Sequence, residues 1–225
     1  VPLVYCNNVG IQNNGKNVFT YDGFSTAYNA DGTVSASAEM YEDTILECTW
    51  DTEAGHFVGE GSIAALPQEP ESIYKSLRYG TEKFLHQCGI KKMTIGLSGG
   101  IDSAITAAMY ADILGAENVL LINLPSVYNS ETTKNIAYNL AKNLGANYAV
   151  IPISHSCEHT EEQLTSTPII NMASGSTFNL ELSNIVKENI QARDRGARII
   201  AAASAAFGGA FSCNSNKAEI TVGYC

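Results

Sequence analysis

The stretch TIGLSGGIDSA (residues 94–104) sets two serines, two glycines and one carboxylate between Ser98 and Ser103. An apolar, β-branched run breaks at Ser98-Gly99-Gly100, and an alanine-rich segment opens at Asp102. A turn from strand into helix aims unpaired backbone N–H groups and the positive helix end at one point, which suits an anion. Gly99 and Gly100 permit close approach to the backbone, and Ser98 and Ser103 add hydroxyl donors. Asp102 would repel bare phosphate. It makes sense where a divalent cation bridges carboxylate and phosphate, as hard oxygen ligands do for magnesium. The pattern therefore reads as a loop for a nucleotide with magnesium; the plainer alternative is a glycine-rich turn capped by Asp102. The sequence contains no G-x-x-x-x-G-K-[ST] and no G-x-G-x-x-G after a strand, which argues against a Walker-type ATPase and a Rossmann cofactor site.

Such a loop needs a strand before it and a helix after it. KMTIGL (92–97) predicts the strand, and DSAITAAMYADILG (102–115) predicts a helix ending at Gly115. NVLLINLP (118–125) is the next strand. SETTKNIAYNLAKNLG (130–145) is a helix with Ser130 as N-cap and Gly145 past its end, and NYAVIPI (147–153) is a third strand. Residues 71–88 carry Ile73, Leu77, Phe84 and Cys88 near helical spacing, with Ser72 as N-cap, and 183–206 reads as another helix. This alternation predicts an α/β fold, a doubly wound, mainly parallel sheet whose ligands bind beyond the carboxyl ends of the strands. Residues 1–58 differ: Asn-Gly and Asp-Gly turns separate short alternating segments, and TILECTWDT (44–52) suggests one more strand. The expected organisation is a β-rich piece over 1–58, a Gly-, Pro- and Glu-containing linker over 59–70, and an α/β domain over 71–225.

Bulk properties agree with a globular protein of one large or two small domains: 225 residues, 45% hydrophobic and 16% charged. The net charge of −10 argues against nucleic acid or an anionic membrane as main partner. No apolar run approaches the roughly 20 residues needed to span a bilayer, and Val1-Pro2-Leu3-Val4-Tyr5 lacks the regions of a signal peptide. The six cysteines are scattered, with no C-x-x-C pair and no zinc spacing. They read as small buried hydrophobes in a reducing, cytoplasmic compartment. His155 and His159 stand four apart, and a metal site there would need a third ligand.

GLSGGIDS (96–103) resembles the pyrophosphate loop of the N-type ATP pyrophosphatases, which include NAD, GMP and asparagine synthetases and tRNA-thiolating enzymes. Three further stretches resemble segments of glutamine-dependent NAD synthetases in order and spacing: LPSVYNSETTKNIAYNLAKNLG (124–145), ENIQARDRG (188–196) and NKAEITVGY (216–224). That resemblance covers residues 71–225. YCNNVGIQNNGKNVFTYDG (5–23) resembles the late strands of the nitrilase-like glutaminase domain fused ahead of those synthetases. The Glu–Lys–Cys triad of that domain is not placed on this chain, and Cys6 reads as packing. The chain looks like a fragment of a longer enzyme, shortened at both ends.

The resemblance implies ATP-dependent amidation of deamido-NAD to NAD through an acyl-adenylate, with release of AMP and pyrophosphate. Ammonia would come from glutamine in the full-length parent. It implies ATP binding by Gly96, Leu97, Ser98, Gly99, Gly100, Ile101, Asp102, Ser103 and Asn214. Mg2+ would sit at Asp102 and Glu219, the latter reaching in from a separate strand–loop, and Asn189, Arg193 and Lys217 would contact the dinucleotide. It also implies a homo-oligomer. One departure stands out: where the family has T-G-N-K-S-E, this chain has Asn214-Ser215-Asn216-Lys217-Ala218-Glu219, so an amide of different reach replaces a threonine. Plainer readings stay open. Arg193 and Arg195 fit solvated helix positions, Asn189 an ordinary polar one, and Glu219 a surface carboxylate. The whole chain also fits another N-type pyrophosphatase, acting on a nucleobase or tRNA, or a catalytically incomplete fragment that binds ATP. Residues 154–177 match no family segment.

Overall fold

The computed structural model describes every residue except 16, 59–62, 66, 127–130 and 224–225, and of residue 131 the backbone alone. The chain packs as two compact units, Val1–Gly89 and Ile90–Cys225.

The first unit holds β1 (Leu3–Tyr5), β2 (Val9–Asn13), β3 (Val18–Asp22), β4 (Thr26–Tyr28), β5 (Val34–Ser37), β6 (Thr49–Asp51), β7 (His56–Val58) and α1 (Glu71–Gln87). β1, β4 and β5 form one antiparallel sheet, while β2–β3 and β6–β7 are separate two-stranded pairs. Side-chain acceptors fold the expected turns: Asn13 Oδ1 accepts from Gly15 N at 2.8 Å, and Asp31 Oδ1 from Thr33 N at 3.0 Å. α1 packs on β2 and β3. Gly80 makes the approach possible, since a Cβ there would come 2.6 Å from Thr20 Oγ1. Tyr79 also meets Tyr41, with ring centroids 4.8 Å apart. By packing, α1 therefore lies with the strands, although its sequence pattern groups it with 71–225. Ser72 is not the cap expected of it. The N-cap is Pro70, and Ser72 already sits in the first turn, its N–H donating to Gln68 O at 3.0 Å.

The second unit holds β8 (Met93–Gly96), α2 (Ile101–Leu114), a 3₁₀ turn (Ala116–Asn118), β9 (Val119–Asn123), α3 (Glu131–Leu144), β10 (Asn147–Val150), α4 (Ser154–Ser166), β11 (Ile169–Ile170) and β12 (Thr177–Phe178). It continues with α5 (Asn184–Arg193), a π-helical turn (Asp194–Ile200), α6 (Ala201–Phe207), β13 (Ala210–Phe211) and α7 (Lys217–Val222). Its sheet runs β10-β9-β8-β13, every pair parallel, with Gly96 opposite Ile122 and Asn147 opposite Leu120. This is the α/β arrangement the alternation predicts. Apart from Thr94 and Asn123, β8 and β9 are apolar because both faces are covered. Val119, Leu121, Ile95, Leu97 and Ile122 are buried almost completely, each contributing about 1.5–3 kcal/mol by leaving water. α2 and α3 pack together and on these strands, while Ile122 and Leu124 join Ile153, Cys157 and Ile199 in a second cluster.

Ser130, expected to cap α3, lies outside the described residues. β13 and the β11–β12 hairpin were not expected. No described helix is long and apolar enough to cross a membrane. All described cysteines are free, but only Cys157 is buried; Cys6, Cys48, Cys88 and Cys213 are exposed, which corrects the packing role expected of them. Cys6 lies just beyond β1, a strand whose own residues are all exposed, so nothing there covers its thiol.

Candidate functional site

The carboxyl ends of β8 and β9 open into a cavity of about 750 Å³, walled wholly by the second unit. Its first wall is the loop from Ser98 to Ser103. Leu97 N donates to Ile122 O at 2.8 Å, anchoring the last apolar residue before the turn. Ser103 Oγ accepts from Ser98 N at 3.3 Å, donates to Gly100 O at 3.0 Å and lies 3.1 Å from Ser98 Oγ. Gly100 N donates to Ser98 Oγ at 3.2 Å. Gly99 has φ +89°, and a Cβ there would come 2.5 Å from Thr133 O, so the turn admits only glycine. Gly100 is the N-cap of α2 and has no side chain to accept from the first-turn N–H groups. Those donors and the positive helix end are thus left beside the cavity that Ser98, Asp102 and Ser103 line. Ile101, by contrast, is an exposed apolar residue at the start of α2. Asp102 is the helix's second residue, exposed, and not its cap.

The second wall runs from β13 into α7. Asn214 Nδ2 donates to Gly96 O at 3.0 Å, and Asn214 Oδ1 accepts from Ser212 Oγ at 2.8 Å. The amide that stands where a threonine was expected therefore ties this wall to the end of β8 while lining the cavity. Asn216 and Glu219 form a capping box: Glu219 N donates to Asn216 Oδ1, and Asn216 N to Glu219 Oε2, both at 3.0 Å. Glu219 was expected on a strand–loop and lies instead on a helix. The reciprocal cap outweighs the β-branched Ile220, Thr221 and Val222 that suggest extended chain. Asn216 Nδ2 also donates to Asp102 Oδ2 at 3.4 Å. Lys217, the first residue of α7, is exposed and outside the cavity lining.

Asp102 and Glu219 thus share Asn216 and both line the cavity. Among the described residues no group of three or more His, Cys, Asp or Glu is placed to hold a metal ion. Two carboxylates without a cage fit magnesium that arrives with phosphates, because that ion keeps waters and takes one or two carboxylates. His155 and His159 lie exposed on α4 and join no such group.

The third wall is α5 and the π-helical turn. Asn189 lines the cavity, and its Oδ1 accepts from Arg193 Nη1 at 2.8 Å. Arg193 itself is exposed and lies outside the lining; Arg195, two positions on, lines it, with Nε donating to Leu124 O at 3.3 Å. Gly96 lets this wall close, as a Cβ there would meet Ile200 Cδ1 at 2.8 Å. At the end of β9, Asn123 is 4% exposed and its Nδ2 donates to Leu97 O at 2.7 Å. Its Oδ1 finds no partner among the described residues. A buried acceptor at a cavity wall calls for a donor from a ligand or a water. Sequence reasoning passed over Asn123, Glu188, Ser212 and Ser215, all of which line the cavity, and gave Arg195 no role. Position at a strand end was the available signal for Asn123, and the ENIQARDRG stretch for Glu188 and Arg195.

The model of the NAD synthase family matches residues 73–225. The chain belongs to the NAD synthase family. It is 35% identical over 226 residues to the glutamine-dependent NAD(+) synthetase of Synechocystis sp. and 33% identical over 226 residues to that of Rhodobacter capsulatus. Each comparison covers 100% of this chain and 38% of the relative, so the chain spans about two fifths of the length of the proteins it matches. Its fold matches the structure of glutamine-dependent NAD+ synthetase from Acinetobacter baumannii in complex with adenosine diphosphate, with a TM-score of 0.83. There the identity is 27%, over 100% of this chain and 40% of that one. These NAD synthase relatives extend over both units, β-rich strands included.

Proposed function

We propose that the second unit is the ATP-cleaving half of an NAD synthetase, amidating the carboxylate of deamido-NAD to give NAD, AMP and pyrophosphate. The observation that carries this reading is the Ser98–Ser103 loop at the head of α2 with Asp102 and Glu219 joined through Asn216. A carboxylate is a poor electrophile at neutral pH. It attacks the α-phosphorus of ATP, displacing pyrophosphate and forming an acyl-adenylate; ammonia then attacks the acyl carbon, and AMP leaves. Charge builds on the α-phosphate and the departing pyrophosphate, so catalysis is positioning and electrostatic stabilisation. The loop N–H groups and the Ser98 and Ser103 hydroxyls meet the pyrophosphate. Gly96 and Leu97 bring the strand end beneath the nucleotide, Asn214 steadies it, and Asn189 faces the dinucleotide across the cavity, with Arg193 holding its amide. Magnesium on Asp102 and Glu219 would neutralise phosphate charge, and Lys217 adds a cation at the rim.

Residues 1–58 fit the tail of a nitrilase-like glutaminase domain that supplies ammonia in a longer parent, itself a cytoplasmic homo-oligomer. The test is turnover. The protein incubated with ATP, magnesium, ammonium and deamido-NAD is expected to yield NAD and AMP in equal amounts. AMP formation with a different acceptor and none with deamido-NAD would overturn the substrate. Bound ATP without turnover would mark a fragment that keeps the site and lacks the reaction.

A further inference from the structure

The π-helical turn has three faces, each committed. Ile199 is buried beside Cys157 and Ile153. Arg195 and Gly196 line the cavity. The third face carries Asp194, a residue 8% exposed, whose carboxylate accepts from both Nε and Nη2 of Arg198, one turn on. Ser156, in the first turn of α4, completes the cluster: its hydroxyl donates to Asp194 Oδ2 at 2.8 Å and accepts from Arg198 Nη2 at 2.7 Å. A forked guanidinium on a nearly buried carboxylate is geometrically exacting, and the Ser156 hydroxyl, bonded to both, ties the turn to a different helix. π-helical turns are rare and are frequently found at functional sites. Here Arg195, on the π-helical turn, lines the cavity, with its Nε on Leu124 O at 3.3 Å, while Arg193, the last residue of α5, does not.

We infer that Ser156, Asp194 and Arg198 form a clamp that fixes the π-helical turn so that Arg195 meets an anionic group of the dinucleotide substrate. Asp194, Ser156 and Arg198 are positioning residues that act through Arg195. The inference rests on the reading of the cavity as a deamido-NAD site.

The test is equilibrium binding of deamido-NAD and of ATP with magnesium, measured separately on wild type, Asp194→Asn, Arg198→Lys, Ser156→Ala and Arg195→Met, alongside thermal melts. Asp194→Asn and Arg198→Lys are expected to weaken deamido-NAD binding about tenfold, close to the loss of one charged hydrogen bond at Arg195. ATP affinity stays within about twofold, as for independent sites. In an Arg195→Met background, Asp194→Asn adds nothing further. Should Asp194→Asn fail to fold, Ser156→Ala and Arg198→Lys, which keep the carboxylate and a cation, give the same comparison. Wild-type affinity for deamido-NAD in these variants overturns the clamp alone. Equal loss of both ligands together with a lowered melting temperature also overturns it, as a merely structural tie. Failure of the wild-type protein to bind deamido-NAD overturns the reading of the cavity, and the clamp's role with it.

Discussion

Asn216 donates through Nδ2 to Asp102 Oδ2 at 3.4 Å, across 114 residues of sequence, and through its backbone N–H to Glu219 Oε2 at 3.0 Å. Asn216 therefore holds Asp102 through its side-chain amide and Glu219 through its backbone N–H, and its side-chain oxygen caps α7. Asn216→Ala is expected to cost about 1 kcal/mol through the lost cap. It is also expected to raise the magnesium concentration needed for half-maximal ATP binding, measured by titrating magnesium at fixed ATP. Unchanged magnesium dependence would leave Asn216 with the cap alone.

Gly99 and Gly100 are adjacent but differ in what they tolerate. Gly99→Ala forces a Cβ to 2.5 Å from Thr133 O at φ +89°, and it is expected to destabilise by about 1–3 kcal/mol. At Gly100, φ is −85° and an added Cβ would meet only Ser98 Oγ, at 3.3 Å, so Gly100→Ala is expected to cost less, about 0.5–1 kcal/mol, chiefly because alanine is a poorer N-cap than glycine. Chemical denaturation of the two variants checks the contrast.

How much of this was legible in the sequence follows from how local each signal is. The strand, glycine turn and helix around Ser98 are contiguous, so their order alone predicts the loop and its place at the sheet's carboxyl edge. The π-helical turn was not legible, because Asp194–Ile200 keeps an ordinary helical apolar pattern and the wider turn depends on Ser156, 38 residues away. β13 has only two residues and earns its place by pairing with β8. α7 hid behind three β-branched residues, although Asn216 and Glu219 stand at the spacing of a capping box. The exposed cysteines escaped because composition reports residue type, not cover.

Asp194 is expected to make the second unit sensitive to acid. The Arg198 guanidinium, aided by the Ser156 hydroxyl, holds its carboxyl below the usual carboxylate range. A depressed folded-state value stabilises above the unfolded value of about 3.9, and that stability is lost as pH falls through the folded one. Wild type is expected to exceed Asp194→Asn by about 1–3 kcal/mol at neutral pH, the scale of a charged hydrogen bond left unmade. The gap closes in acid, below about pH 4. A gap independent of pH in denaturation curves would deny the carboxylate this part.

Burial pushes the Cys157 thiol up, and the neighbouring Asp194 charge adds to it. Thiolate is the nucleophile, so Cys157 is expected to resist iodoacetamide at pH 8 while the exposed Cys6, Cys48, Cys88 and Cys213 are alkylated. Peptide mass spectrometry after native labelling reads this directly; prompt labelling of Cys157 would mean that α4 opens.

The most direct measurement is a crystal structure of the protein soaked with ATP and magnesium. The expected result places the β- and γ-phosphates within hydrogen-bond distance of Ser98, Ser103 and the N–H groups at the head of α2, with a metal ion between them and Asp102. A triphosphate lodged elsewhere, or an Asp102 carboxylate bound only to Asn216 with ATP present, would contradict the account.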